Sequence, residues 1–349
     1  MSNSVLTNNT IKKRLGYIDA LRGFTMFLVV FGHVAKGSIG ANTVLTSFFL
    51  TFRMPTFFFI SGFIGYKTLD FWTLANFKNR ISKKAFVQII PCLIFMTLFG
   101  YTEGRTTLDM ITGHNLWGGY WFTLVLFEMF ILYYTISLIS NICFGEKIYF
   151  ILMTFMSIFG VVYLAIGKRN FEIYHIMCFE NLFKYFQFFF LGTLFRMYFG
   201  NIIKLLQANW FRTFIITFFV ILFAYISKFD SNTLPYRIIH DIVIRYVGVC
   251  IVFMVFHSLS DFFDKKNKLS SVLQFVGKRT LDIYLLHYFF LPDLKFLKDF
   301  YVTGNMLVIE FFTYSILTIG ILFICLSTSW IIRRSDTLAY WCFGSKQNK

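Results

Sequence analysis

Apolar residues run along this chain in blocks of about 20, the length a helix needs to cross the hydrocarbon core of a bilayer. Polar residues gather in the short stretches between the blocks. The pattern predicts spanning helices near 17–36, 44–66, 86–102, 119–143, 148–167, 182–200, 210–227, 239–259, 279–292 and 305–332. The ninth is the weakest, because Pro292 and the charged run after it cut it short. The expected fold is all-α: a polytopic transmembrane bundle of about ten spans over 17–334. It lies between an N-terminal tail (1–16) and a C-terminal tail (335–349).

Composition agrees. The chain is 57% hydrophobic and only 14% charged, against about 25% charged in a soluble domain, so it cannot cover a water-facing surface. With four prolines and no Ser/Gly-rich linker, a single membrane domain is expected. The net charge of +16 sits in short clusters between apolar runs, which sets membrane orientation rather than nucleic-acid binding. With the N-terminus in the cytoplasm, inner connections carry 21 Lys and Arg and outer ones nine. Both termini are therefore expected in the cytoplasm.

Lys12, Lys13 and Arg14 precede the first apolar stretch, but no small-residue cleavage site follows it. A retained helix is expected there, not a cleaved signal peptide. The six cysteines show no metal-ligand spacing and read as small buried hydrophobes, so no metal site is expected.

Charges inside the spans need a reason, since Arg or Asp at a helix centre costs about 2.5–3.5 kcal/mol. The set is Arg22, His33, Arg53, Glu128, Asp241, Arg245, His257, His287 and Glu310. Asp241 and Arg245, four apart, can neutralise each other, and His257 can reach interfacial water. Glu128 and Glu310 have no partner in their own helices, so each must pair across helices, stay protonated or line a cavity. Arg22 and His33 are eleven apart, hence on nearly one face and about 16 Å apart along the axis. Asp19 can orient Arg22. The first helix thus carries a fixed cation near the cytoplasmic boundary and a titratable imidazole in the outer half.

That stretch, Tyr17-Ile-Asp-Ala-Leu-Arg22 through Gly32-His33, resembles the opening helix of the acyltransferase 3 family, with its arginine, ten residues and histidine. Three further blocks follow in the family's order. They are Phe52-Arg53-Met54-Pro55 through Ser61-Gly62-Phe63, Trp121-Phe122-Thr123-Leu124, and Val276-Gly277-Lys278-Arg279-Thr280 through Tyr284-Leu-Leu-His287. The family often has a serine-rich stretch where this chain has Thr280 and Asp282. With only about fifteen polar and basic residues after the last span, no soluble esterase-like extension is expected.

The resemblance implies transfer of an acyl group, commonly acetyl, from cytoplasmic acyl-CoA to a glycan or lipid-linked sugar hydroxyl at the outer face. Acyl-CoA is then a substrate, with no tightly bound cofactor. The setting is a multi-pass protein of the bacterial cytoplasmic (inner) membrane, with membrane lipids around it and no nucleic-acid partner. It acts alone or with a separate periplasmic transferase. By the same resemblance His33 and Arg22 are catalytic, and Arg53, Ser61, Tyr284 and His287 are pocket residues. Trp121 is a sugar or acyl-chain platform or an interfacial anchor. From the residues alone, Asp19 accompanies Arg22, and Glu128 and Glu310 are candidates to orient His33 or take its proton. His33 can be acylated or act as general base. The competing expectations are a proton-coupled transporter or exporter and a non-catalytic membrane scaffold.

Overall fold

The computed structural model describes residues 15–41, 43–113, 117–166, 172–226, 239–265, 267–304 and 307–345. Lys12, Lys13 and Arg14 and the last four residues lie outside these. Among the described residues the chain is all-helical, without a strand.

The helices that build the bundle are α1 (Gly16–His33), α2 (Val44–Gly65), α3 (Leu74–Lys84), α4 (Ile90–Thr102), α5 (Trp121–Ile139), α6 (Gly145–Ile166) and α7 (Phe179–Met197). They continue with α8 (Phe199–Gln207), α9 (Asn209–Ile226), α10 (Arg245–Ser258), α11 (Lys268–Lys278), α12 (Thr280–Leu286) and α13 (Leu307–Ile332). Among the described residues six stretches are long and apolar enough to cross a membrane: Gly16–Ile39, Val44–Gly65, Leu74–Thr102, Trp121–Cys143, Gly145–Tyr163 and Leu307–Ile332. The pair α7 and α8, bent by 94°, makes a seventh if it counts as one span. Asn209–Tyr225 and Ile242–Ser258 are apolar but shorter. The protein is thus an integral, multi-pass helical membrane protein, with six or seven helices of spanning length among the described residues, where the hydropathy pattern predicts about ten.

Two expected spans differ in kind. The chain over 182–200 turns sharply after Met197, so its end is a separate helix rather than a straight continuation. The stretch 279–292 is not one helix. It is the seven-residue α12 and a 3₁₀ turn, His287–Phe290, and the preceding helix α11 supplies the packing that the pattern assigned to it. Arg279 breaks the line between α11 and α12 at φ −114°, ψ 19°.

Glycines decide where helices meet most closely. α1 crosses α11 at Gly23 and Gly277, where a methyl group on either would fall on the Leu273 or Asp19 carbonyl oxygen. α2 crosses α7 in the same way at Gly62 and Gly192, against the Phe189 and Phe59 carbonyls. Small residues let backbones approach where lipid supplies no hydrophobic drive for helices to associate. α1, held between α2, α11 and α13, is the centre of the bundle. Its apolar window is 78% buried, against 17% for that of α6, which lies at the rim.

The break between α11 and α12 is tied down by a charge network. Asp282 accepts from Arg333 Nε and Nη2, both at 2.8 Å, and from Ser329 Oγ at 2.5 Å. Arg279 adds a contact at 3.6 Å. The aspartate standing in place of the serine-rich stretch is therefore a clamp between α12 and α13.

Candidate active site

α1, α2, α3 and α5 enclose a cavity of about 440 Å³, completed by Gln88, Gly119 and residues of α12. Its two ends differ in chemistry. At one end stand Arg22, Lys67, Arg80 and Lys84; towards the other stand His33, Arg53, Trp121 and Tyr288. Apolar walls, among them Met26, Val29, Phe57 and Ile60, join the two.

The cationic end is built by three segments. Arg22 Nη2 donates to Thr280 Oγ1 at 2.9 Å, and Nη1 lies 4.0 Å from Asp19. Its side chain keeps 29% of its surface accessible, so the bonds orient the guanidinium without closing it off. Lys84 places its ammonium 3.6 Å from the centre of the Phe130 ring, a cation–π contact, and Arg22 and Arg80 lie within electrostatic range of it. Lys67 follows the end of α2. Burial, then Arg80 and Arg196, hold it below the usual lysine range, because each disfavours its charged form.

His33 ends the regular winding of α1, and the next six residues, Val34–Ile39, form a π-helical turn. Such turns inside α-helices are frequent at functional sites. Its Nε2 lies 3.5 Å from the Tyr288 hydroxyl, and its ring 4.9 Å from that of His287. The buried His287 fixes its own tautomer: Nδ1 donates to the Tyr284 and Ile283 carbonyls at 2.8 and 3.2 Å. Its Nε2 makes no hydrogen bond among the described residues.

Arg53 crosses from α2 to α1. Nη1 donates to the Val29 carbonyl at 3.0 Å, and the guanidinium lies in the space that a side chain at Gly32 would fill. Beyond it, the Gly119 carbonyl accepts from both Tyr284 and Tyr288, at 3.1 and 2.9 Å. The Phe122 amide donates to the Tyr284 hydroxyl at 3.1 Å. Trp117, Gly118 and Gly119 all have positive φ, at 57°, 60° and 99°. Only the tryptophan is strained by this, since glycine adopts such backbone freely.

Of the residues singled out from the sequence, Arg22, His33, Arg53, Ser61, Trp121 and Tyr284 line this one cavity. Ser61 donates to the Phe57 carbonyl at 2.9 Å, and Trp121 stacks on Tyr185 at 6.1 Å. Asp19 and His287 stand behind Arg22 and His33 and do not line it. The two glutamates are elsewhere. Glu310 accepts from Thr43 across helices, and Glu128 is buried with neither oxygen hydrogen-bonded among the described residues. Neither lines the cavity; the polar groups beside His33 include an imidazole, a phenol and the Arg53 guanidinium. The Asp241 side chain lies outside the described residues. Arg245 lies 6.0 Å from the Tyr185 ring centre.

Lys67, Arg80, Lys84 and Tyr288 were not foreseen as cavity residues. The lysines and Arg80 served only as orientation charges, although Arg80 and Lys84 are four apart, on one helical face leading into the 86–102 run. Tyr288 carried no signal that set it apart from eighteen other tyrosines.

Helices of spanning length around a cavity that is cationic at one end and holds a histidine at the other define a multi-pass membrane protein with an internal reaction-sized site. The family model described as an acyltransferase domain matches residues 15–330. The chain belongs to the acyltransferase 3 family of membrane acyltransferases. No curated protein and no solved structure matches it.

Proposed function

We propose that the protein is an O-acyltransferase that moves an acyl group, acetyl foremost, from cytoplasmic acyl-CoA to a hydroxyl of a cell-surface or envelope glycan. The observation that carries this is the single cavity joining Arg22, Lys67, Arg80 and Lys84 to His33. Coenzyme A has anionic phosphates at one end and its thioester at the far end of a pantetheine arm. The cations suit the phosphates, and His33 lies about 16 Å from Arg22 along α1. Ten spans with both termini in the cytoplasm, in a bacterial inner membrane, put the cationic end on the donor side and His33 in the outer half.

At that depth His33 serves the transfer as acyl acceptor or as general base for the glycan hydroxyl. Tyr284 and Tyr288 hold the Gly119 segment over the reacting groups, and Trp121 offers a platform for sugar or acyl chain. Either the protein completes transfer itself or a separate periplasmic transferase does.

The test is mass spectrometry of surface glycans from a deletion strain complemented with wild type or His33→Ala. Wild type restores the acyl groups and His33→Ala does not, at equal membrane levels. Full acylation by His33→Ala would overturn the assignment. Lost polymer export with acyl groups intact would favour a carrier instead.

A further inference from the structure

Arg53 is a partly buried cation with no acid paired to it among the described residues. Among the described residues its one hydrogen bond, from Nη1, goes to the neutral Val29 carbonyl. Nε is buried and unbonded, and no ion pair to Arg53 is formed among the described residues. A guanidinium inside a membrane bundle is expensive unless something negative meets it. The ordinary solution is a carboxylate, which Arg22 finds in Asp19 of its own helix and Arg333 finds in Asp282 across helices; among the described residues none is paired with Arg53. Arg53 also lines the cavity. It is fixed by the Val29 carbonyl, one turn before His33, and by the cleft at Gly32, the residue next to His33.

We infer that Arg53 is a catalytic residue that receives the oxyanion formed on the acyl carbonyl during transfer. The inference rests on the acyltransferase reading above. Whichever atom attacks, the acceptor hydroxyl or His33, a bond forms to the thioester carbon as the carbonyl π pair moves onto oxygen. The pair then returns, the C–S bond breaks, and coenzyme A leaves as thiolate. When the hydroxyl attacks, its proton passes through His33 to that sulfur. When His33 attacks, its ring N–H proton goes to the sulfur; the hydroxyl then attacks the acyl-imidazole, breaking the C–N bond and returning a proton to the ring. Negative charge on oxygen exists only between these events. A cation held in place beforehand, away from water, stabilises it without reorganising. A carboxylate on the acceptor would use the same oxygen-anion chemistry. The place of Arg53, beside the histidine rather than off to one side, favours the reacting carbonyl.

The test uses the full chain in proteoliposomes with acetyl-CoA as probe. Thiol release with water as acceptor reports the chemistry, and equilibrium dialysis reports donor binding. Arg53→Gln is expected to slow thiol release by about 10²–10³-fold while acetyl-CoA binding changes by less than about threefold. Arg53→Lys, which keeps a cation, falls between, and decides the matter if the glutamine variant does not fold. Lost donor binding with the maximal rate unchanged would make Arg53 a ground-state contact and overturn the inference. Unchanged thiol release with loss only of transfer to glycan would assign Arg53 to an anionic acceptor and also overturn it. A wild type that neither binds nor cleaves acetyl-CoA removes the acyltransferase reading itself, which is a separate and recognisable result.

Discussion

The Tyr288 hydroxyl stands 3.5 Å from Nε2 of His33 and closer, 2.9 Å, to the Gly119 carbonyl oxygen. A phenol has one proton, and the carbonyl is the nearer acceptor. The phenol oxygen is then free to accept from His33 Nε2–H, which fixes the imidazole tautomer. Tyr288→Phe should lower kcat about fivefold, the worth of one hydrogen bond of about 1 kcal/mol, with KM for acetyl-CoA unchanged. Steady-state kinetics across a donor series checks this; a change confined to KM would place Tyr288 in donor binding.

Lys84 points its ammonium over Phe130 within electrostatic range of Arg22. If it meets a donor phosphate, Lys84→Met removes a charge-assisted bond worth about 1.5–3 kcal/mol. Acetyl-CoA affinity should fall roughly 10–100-fold, with the maximal rate largely kept. Titration with CoA and with 3′-dephospho-CoA identifies the phosphate: a variant that no longer discriminates between them has lost the 3′-phosphate contact.

Asp282 and Arg333 form a bidentate pair across the break in the ninth apolar block. Removing one partner of a buried pair costs about 3–5 kcal/mol. Because the Arg333 side chain is 21% exposed, Arg333→Ala should fall at the low end of that range. Asp282→Ala, which strands the arginine, should cost about as much. Thermal unfolding in detergent provides the measurement, and equal midpoints for wild type and both variants would dismiss the clamp.

Gly32→Ala places a methyl group where the Arg53 guanidinium lies. The far end of an arginine can move, so the helices need not separate. Membrane levels and donor binding should stay near wild type while transfer falls by about tenfold or more, as misplaced catalytic groups do. Gly277→Ala is the contrast. There the clash is with the Asp19 backbone, and such overpacking costs about 1–3 kcal/mol of stability.

The helical character and much of the site were legible because they depend on local periodicity. The step of eleven from Arg22 to His33 fixes one face of one helix, and both line the cavity. What stayed hidden depends on which helices meet. Lys84 reads as a loop charge until the helix before it is seen to run straight on into the membrane. The pairing of Glu310 with Thr43 spans 267 residues, beyond any local pattern. The break at Arg279 carries neither proline nor glycine at its own position, so hydropathy alone drew a single weak span there. The bend after Met197 escaped for the same reason.

The π-helical turn after His33 has a consequence for numbering along the first helix. Its bonds reach one residue further than α-helical ones, so each turn takes up more of the chain. A helical wheel drawn from Arg22 is faithful up to His33 and slips out of phase beyond it. Lys36 and the residues that follow therefore cannot be assigned a face by continuing the count. An insertion or deletion between Val34 and Ile39 would be absorbed by rewinding that turn, whereas one between Arg22 and His33 would rotate the imidazole away from the arginine.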